Sequence, residues 1–191
     1  RIAKETKSLV IAISQRRNII TLYQGNFRYA LKELSVILTK ANQAMQTLEK
    51  YRSVLEESIQ NLTKLEFEEL VTFGDLTHVL NRLIMVIRIK TELLSYMNEL
   101  GVEGRLLRLQ LKEMLSSVEQ EALHILKDYH QDPDACSSEK VFELLGEMSQ
   151  SEVIEDTALM KALGYPGAMP PEQSAAPCGY RALHKIPRLP L

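Results

Sequence analysis

The feature that most constrains the fold is an apolar repeat within residues 34–62, at alternating spacings of four and three. Its members are Leu34, Leu38, Ala41, Met45, Leu48, Leu55, Ile59 and Leu62, with a single gap at Arg52. This spacing predicts an apolar seam along one helix of roughly 30 residues. The pattern leaves open whether the seam packs within the chain or against another subunit.

The same period returns twice after a break at residues 68–74. A second helix is predicted from about Asp75 to Leu100, capped by Thr72 or Asp75, with Gly101 at its C-terminal end. Its apolar face consists of Leu76, Leu80, Leu83, Ile87, Leu94 and Met97, widened by Val79, Ile84 and Val86. A third helix is predicted over residues 103–130, with Leu107, Leu111, Met114, Val118, Ala122, Ile125 and Tyr129 in phase. Three long helices with short connections favour an antiparallel bundle.

The segment 9–25, LVIAISQRRNIITLYQG, has a different pattern. Two apolar, β-branched runs flank a polar basic turn, which predicts a β-hairpin closed at Gly25-Asn26. The first run, residues 9–13, reads as a strand buried on both faces. A lone hairpin is marginal in water, and no other convincing strand is found to pair with it. The chain therefore looks like part of something larger.

Beyond Asp132-Pro133 the helical patterns are shorter, near residues 138–148 and 151–163, with Ser137, Ser138 or Ser151 as N-cap candidates. Residues 164–177 are rich in Gly, Pro, Ala and Ser and are predicted to form a loop or linker. Residues 179–191, GYRALHKIPRLPL, return to a helix followed by a proline-punctuated turn.

Charge and composition exclude several classes of protein. Residues 1–34 carry seven basic and two acidic side chains, whereas residues 132–191 carry five and nine. A basic N-terminal end suggests an anionic ligand, although a solvated surface also produces such a bias. Cys136 and Cys178 lack metal-ligand spacing, which fits a reducing cytoplasm. No signal peptide or membrane-length apolar run is recognised.

The basic turn at residues 14–18 is the first candidate site. Its serine and two arginines follow a predicted strand, and ligands of open sheets lie beyond strand ends. Arginine presents a planar fork of donors that suits phosphate. The alternative is a hairpin turn kept soluble by its charge. A second basic group, Arg181, Lys185 and Arg188, recurs at spacings of four and three and could share one helical face.

Four segments carry a resemblance to a known family. SLVIAISQRRNIITLYQGNFRY, ILTKANQAMQTLEKYRSVLEE, LEFEELVTFGDL and GYRALHKIPRLP together resemble the DNA integrity scanning proteins, a family of bacterial diadenylate cyclases. The resemblance covers nearly the whole chain and is weakest at residues 132–138. It implies three regions: a C-terminal remnant of an α/β cyclase domain at 1–34, a helical linker bundle at 35–131, and a partial helix-hairpin-helix DNA-binding domain at 132–191. The fold class expected is mainly α.

The resemblance also implies an activity and a nucleotide site. The family joins two ATP molecules into cyclic di-AMP, with Mg²⁺ or Mn²⁺, and assembles as homo-octamers. Ser14 and Arg17 match positions that contact ATP phosphates, and Gln15 and Arg16 flank them. The catalytic Asp-Gly-Ala and Arg-His-Arg-Thr motifs are expected upstream of Arg1, so this chain is predicted to hold no catalytic or metal-binding residue and to be inactive alone.

At the other end, LHKIPRLP resembles the first helix and hairpin of a helix-hairpin-helix unit, which in this family binds DNA and prefers branched forms. Arg188 and Pro190 stand where typical hairpins have glycine, and proline has no N–H to offer a phosphate. The expected DNA contacts are therefore Arg181, Lys185 and Arg188. The whole protein is expected to be cytoplasmic, with no membrane partner. The alternative function is a structural or oligomerisation module that binds DNA without catalysis.

Overall fold

The computed structural model describes residues 8–16, 19–31, 33–132, 137–148 and 156–166. Three strands come first: β1 (Leu9–Ser14), β2 (Ile19–Gln24) and β3 (Phe27–Ala30). Five helices follow: α1 (Leu34–Glu68), α2 (Phe73–Leu100), α3 (Arg105–Asp128), α4 (Ser138–Glu147) and α5 (Asp156–Ala162). The mainly helical class with a small N-terminal β-element is confirmed.

The β-element is a three-stranded antiparallel sheet in the order β1-β2-β3, and not the two-stranded hairpin expected. Gln24 pairs with Phe27 across the two-residue connection of Gly25 and Asn26. Gly25 has a φ of 56°, as the first position of a two-residue hairpin turn of type II′ requires. The prediction that no other strand could pair with the hairpin was wrong, since β3 pairs with β2. The sequence did not reveal β3 because this strand is only four residues long and follows the turn directly.

The first strand is not buried on both faces, contrary to expectation. Leu9, Ile11 and Ile13 are 59%, 57% and 71% exposed. They alternate along β1, which is an edge strand of the described sheet, so they project from one face. The continuous apolar run therefore marks a surface that the described residues leave uncovered.

Helix α1 is 35 residues long and follows the predicted seam with two departures. Leu34 is exposed, and Ile37 occupies the buried position at this end. Leu38 and Met45 are only half-buried. The helix ends at Glu68, and the next residue, Glu69, has a left-handed φ of 58°. The Leu70 amide donates to the Leu65 carbonyl. This bond satisfies a carbonyl that the helix end would otherwise leave unpaired.

Helix α2 begins at Phe73, two residues before the predicted start at about Asp75, and its cap is the first of the two predicted candidates. Thr72 is its N-cap, and Asp75 three residues later completes a capping box. The Asp75 amide donates to Thr72 Oγ1 at 3.2 Å, and the Thr72 amide donates to Asp75 Oδ2 at 3.1 Å. At the other end Gly101, with a φ of 58°, stops the helix as predicted. Leu93 rather than the predicted Leu94 is fully buried on this face.

Helices α1, α2 and α3 contact one another pairwise, as an antiparallel bundle with short connections requires. Lys90 Nζ lies 2.6 Å from Glu119 Oε1 and links α2 to α3. The short helices α4 and α5 pack on the same bundle. Their Leu145, Leu159 and Met160 belong to the same buried apolar cluster as the three long helices. The predicted boundaries at residues 34/35 and 131/132 stay predictions.

Contacts with α2 hold the last described segments against the bundle. The Phe73 and Tyr165 rings meet edge to face with centroids 4.9 Å apart. Arg88 Nη2 donates to the Met148 carbonyl at 2.8 Å. Ser137 lies at the predicted N-cap position of α4, but its side chain makes no capping hydrogen bond. Ser151 and the segment 179–191 lie outside the described residues. None of the described helices combines the length and apolarity needed to span a membrane.

Candidate functional site: a basic hairpin turn

The basic turn connects β1 to β2 at one end of the sheet. Ser14 is the last residue of β1 and pairs with Ile19, so residues 15–18 form the connection. Apolar β-branched residues favour the strands on either side, and the polar residues between them fall in the turn. Ser14 is half-buried, whereas Gln15 and Arg16 are exposed. The predicted Arg17 lies outside the described residues.

The described part of the turn offers donors of three kinds. Ser14 contributes a hydroxyl, Gln15 a carboxamide and Arg16 a guanidinium. All three lie within three consecutive positions at the end of one strand. Such a set can hydrogen-bond the oxygens of a phosphate chain and offset part of its charge.

A second arginine, Arg28 of β3, lies at the end of the sheet opposite to the basic turn. Arg28 pairs with Tyr23 across β2 and β3, and its guanidinium carbon lies 5.9 Å from the centroid of the Tyr23 ring. This distance permits a cation–π contact. Arg28 is therefore a basic residue of the same sheet that the turn does not include, which makes it a matched control for Arg17.

The sheet is joined to the bundle by a hydrogen bond. Tyr29 of β3 donates from its hydroxyl to Glu99 Oε1, near the end of α2, at 2.8 Å. The hydrogen bond that Tyr29 donates to Glu99 is the main reason that the pKa of Tyr29 is raised above 10.0, with burial and the nearby negative charge adding to it. Glu99 Oε2 is buried and accepts no hydrogen bond from the described part of the chain. The bond holds the sheet against the end of the bundle formed by the α2–α3 connection.

A groove among the described residues was not predicted from the sequence. It measures about 560 Å³ and runs between α1 and α2, with Ser58, Lys64, Asp75, His78 and Arg82 among its lining residues. Arg82 Nη1 donates to Ser58 Oγ across the two helices. The available signal was Ser58, a polar residue within the apolar seam, but the lining mixes both signs of charge and does not define a ligand.

The metal expected of the family finds no site here. Among the residues that the structure describes, no three side chains of His, Cys, Asp or Glu converge. The described residues therefore form no three-ligand site for the divalent cation expected of the family. The predicted DNA contacts Arg181, Lys185 and Arg188 also lie outside the described residues.

The geometry defines a class of protein: a helical bundle attached to a small antiparallel sheet that has a basic turn. A family model described as the DisA bacterial checkpoint controller linker region matches residues 31–171. The chain is 55% identical over 190 residues to the DNA integrity scanning protein DisA of Bacillus cereus (strain B4264) and 54% identical to that of Bacillus mycoides (strain KBAB4). The chain therefore belongs to the DisA family.

These relatives are about twice as long as the chain. The matches to both proteins cover 100% of this chain and 53% of the relative. The family model begins at residue 31, just after β3, and continues past α5. The sheet with its basic turn therefore lies outside the matched linker region.

Proposed function

We propose that this chain is the linker-bearing part of a DNA-binding diadenylate cyclase, and that its basic turn contacts ATP. The observation that carries the proposal is the turn itself. A half-buried serine and an exposed arginine lie together at the end of β1, outside the linker region that the family model covers. A linker has no need of such a turn, whereas a phosphate site does.

The proposed reaction joins two ATP molecules. The 3′-hydroxyl of each attacks the α-phosphorus of the other, forming two phosphodiester bonds and releasing two pyrophosphates. Negative charge accumulates on the phosphate oxygens and on the departing pyrophosphate. Donors that are already oriented toward those oxygens lower the barrier most, because they need no rearrangement. In this proposal Ser14 and Arg17 provide such donors, with Gln15 and Arg16 beside them.

The linker bundle gives the proposal its second part. The sheet lies at one end of the bundle, and the segment bearing Arg181, Lys185 and Arg188 follows the last described helix in the sequence. We propose that these three side chains contact DNA phosphates, with branched DNA as the preferred form, and that the complete protein is a homo-octamer. Mg²⁺ or Mn²⁺ would be bound by residues outside this chain.

The test uses the full-length protein with ATP and either Mg²⁺ or Mn²⁺, with cyclic di-AMP measured by chromatography. Arg17→Ala should lower the rate by about a hundredfold, the usual effect of removing one donor to a developing negative charge. Arg28→Ala, in the same sheet but outside the turn, should retain most of the rate. Equal effects of the two variants would leave the turn without a special role.

The competing function is a structural module that binds DNA without catalysis. It predicts that wild-type full-length protein forms no cyclic di-AMP under either metal, while branched DNA still binds. Synthesis that is sensitive to Arg17→Ala contradicts the structural module. The 191-residue chain alone should show no turnover in the same assay, and turnover would contradict the proposed location of the catalytic residues.

A further inference from the structure

The connection between α2 and α3 and the first turns of α3 carry three exposed apolar side chains, here called the tip patch: Val102, Leu106 and Leu109. They are 87%, 66% and 57% exposed. Isolated exposed apolar residues are ordinary, but a contiguous group marks a surface that meets a partner. The three belong to one turn and the first turns of one helix, so they form such a group.

The tip patch does not belong to the bundle core. In α3 the core side is marked by Leu111, which is buried. Leu106 and Leu109 lie roughly 140° and 160° around the helix from Leu111, given 3.6 residues per turn. They point away from the other helices, so the requirements of core packing do not explain why leucine stands at both positions.

The tip patch lies at the end of the bundle that holds the sheet. Val102 is three residues beyond Glu99, which accepts the hydrogen bond from Tyr29. Only residues 31–33 separate β3 from α1, so the sheet cannot lie far from this end. The Tyr29–Glu99 hydrogen bond and the tip patch therefore lie at the same end of the bundle.

The sheet face that bears Tyr29 is largely apolar, and the described residues leave its β1 side uncovered. Tyr29 pairs with Leu22, and Leu22 pairs with Ile11, so these three side chains share a face. Alternation along β1 puts Leu9 and Ile13 on that face as well, and both are exposed. One body that covers this face is thereby brought close to the tip patch.

The tip patch has a polar rim as well as an apolar centre. Arg105 is exposed beside it, and Arg108 Nη2 donates to Asn98 Oδ1 at 3.1 Å. An apolar centre with a polar, solvent-accessible rim is the usual organisation of a protein interface. A lipid surface is a poorer match, because Glu103 and Glu113 flank the same turn and helix.

We propose that the tip patch docks against the remainder of the sheet-bearing domain in the same full-length polypeptide. The relatives contain almost as much additional chain as is present here, and the sheet supplies the tether. This inference rests on the proposed function only in taking the full-length protein to extend the sheet. The docked tip would fix the orientation of the linker bundle relative to the nucleotide site.

The test measures the accessibility of a single introduced thiol in the full-length protein. Cys136→Ser and Cys178→Ser are made first, and any other cysteines are replaced as well, so that only the introduced thiol reacts. Leu106→Cys should react with a maleimide about tenfold more slowly than Leu70→Cys, because a docked interface excludes the reagent. The two leucines are matched controls, 66% and 61% exposed, at opposite ends of the bundle. Equal maleimide reaction rates of the two variants in the native protein would overturn the proposal. Rates that differ in the native protein and become equal in urea support it.

A second measurement identifies the occupant. A photo-crosslinking phenylalanine derivative replaces Leu106, and the irradiated protein is analysed on a denaturing gel. An intramolecular crosslink leaves the mass of one chain and supports the proposal; a doubled mass assigns the tip patch to a second copy and overturns it. Cyclic di-AMP synthesis is measured on the same sample. A protein that makes cyclic di-AMP but has an accessible tip patch refutes the docking proposal and leaves the proposed function standing. A protein that makes no cyclic di-AMP but has a protected tip patch refutes the proposed function and leaves the docking proposal standing.

Discussion

The Tyr129 hydroxyl donates to Glu66 Oε1 at 2.8 Å and thereby joins the end of α3 to the end of α1. Both side chains are buried, and Tyr129 has no exposed surface. Glu66 belongs to an acidic cluster, with Glu68 and Glu69, that the sequence places at a helix break. The structure separates the three: Glu66 faces the core, Glu68 is the last helical residue and Glu69 forms the left-handed cap.

Replacing Tyr129 should destabilise the bundle. Tyr129→Phe keeps the ring but removes a donor from the buried Glu66 carboxyl group, which costs about 1 to 3 kcal/mol. The free energy of unfolding in urea measures the effect. Tyr96→Phe is the control, since Tyr96 bonds Glu92 one turn away on the surface of α2, and it should cost less. A Tyr129→Phe protein as stable as wild type would show that the bond adds nothing.

The N-cap of α2 provides a second stability test. Thr72→Ala removes the acceptor for the Asp75 amide and breaks the capping box, so unfolding should become easier by about 1 kcal/mol. Ser137→Ala is the matched variant, because Ser137 is the N-cap of α4 without a side-chain capping bond. Thermal unfolding should rank Thr72→Ala as the more damaging substitution, and the reverse order would contradict the role assigned to the box.

Gly104 should tolerate no side chain. A Cβ at this position would lie 2.8 Å from the Met97 carbonyl oxygen and 3.2 Å from Leu100 Cβ. Because the nearest atom belongs to the backbone, the connection between α2 and α3 must shift, at a cost of about 1 to 3 kcal/mol. Gly146→Ala is the control, since its Cβ would meet only the Ile87 side chain at 3.1 Å within a helix that favours alanine. Urea unfolding that shows equal stability for both variants would refute the clash.

The three long helices could be predicted because their apolar period persists for many turns and is interrupted by recognisable caps such as Thr72 and Gly101. The sequence pattern failed to predict β3 because this strand is short. Residues 27–30 are too few to show alternation, and β3 forms because β2 is already beside it. Leu34 follows the repeat perfectly but is exposed, since burial depends on which helices extend that far.

The candidate site could be predicted in part because its flanking strands, like the long helices, have a recognisable apolar pattern. The apolar run of β1 ends at residue 13 and the next begins at residue 19, so the polar residues Gln15 and Arg16 between them are expected in the turn, where they lie. The Tyr29–Glu99 and Tyr129–Glu66 bonds could not be predicted, because they join residues 70 and 63 positions apart. Such pairs depend on how helices align after they have formed, which no local pattern records.

The contact between sheet and bundle should weaken in alkali. Glu99 raises the pKa of Tyr29 above the value of 10.0, so the folded protein keeps the phenolic proton at a pH where the unfolded chain releases it. The contribution of this contact is therefore complete below pH 10.0 and is lost as the pH rises through the folded pKa. Ultraviolet absorbance of tyrosinate, compared between wild type and Tyr29→Phe, isolates this residue from Tyr96 and Tyr165. Glu99→Gln should lower the pKa of Tyr29, and an unchanged titration would exclude Glu99 as its cause.

The DNA contacts should be electrostatic and insensitive to sequence. If Arg181, Lys185 and Arg188 each neutralise one phosphate, the full-length triple alanine variant should lose about 2.7 units from the slope of log affinity against log salt. Binding of a branched DNA is measured by titration at several salt concentrations, with two unrelated sequences. Lys161→Ala, an exposed lysine in α5, is the control and should leave the slope unchanged. A triple variant with the wild-type slope would remove these residues from the DNA surface, whereas a loss confined to one sequence would indicate base contacts instead of phosphate contacts.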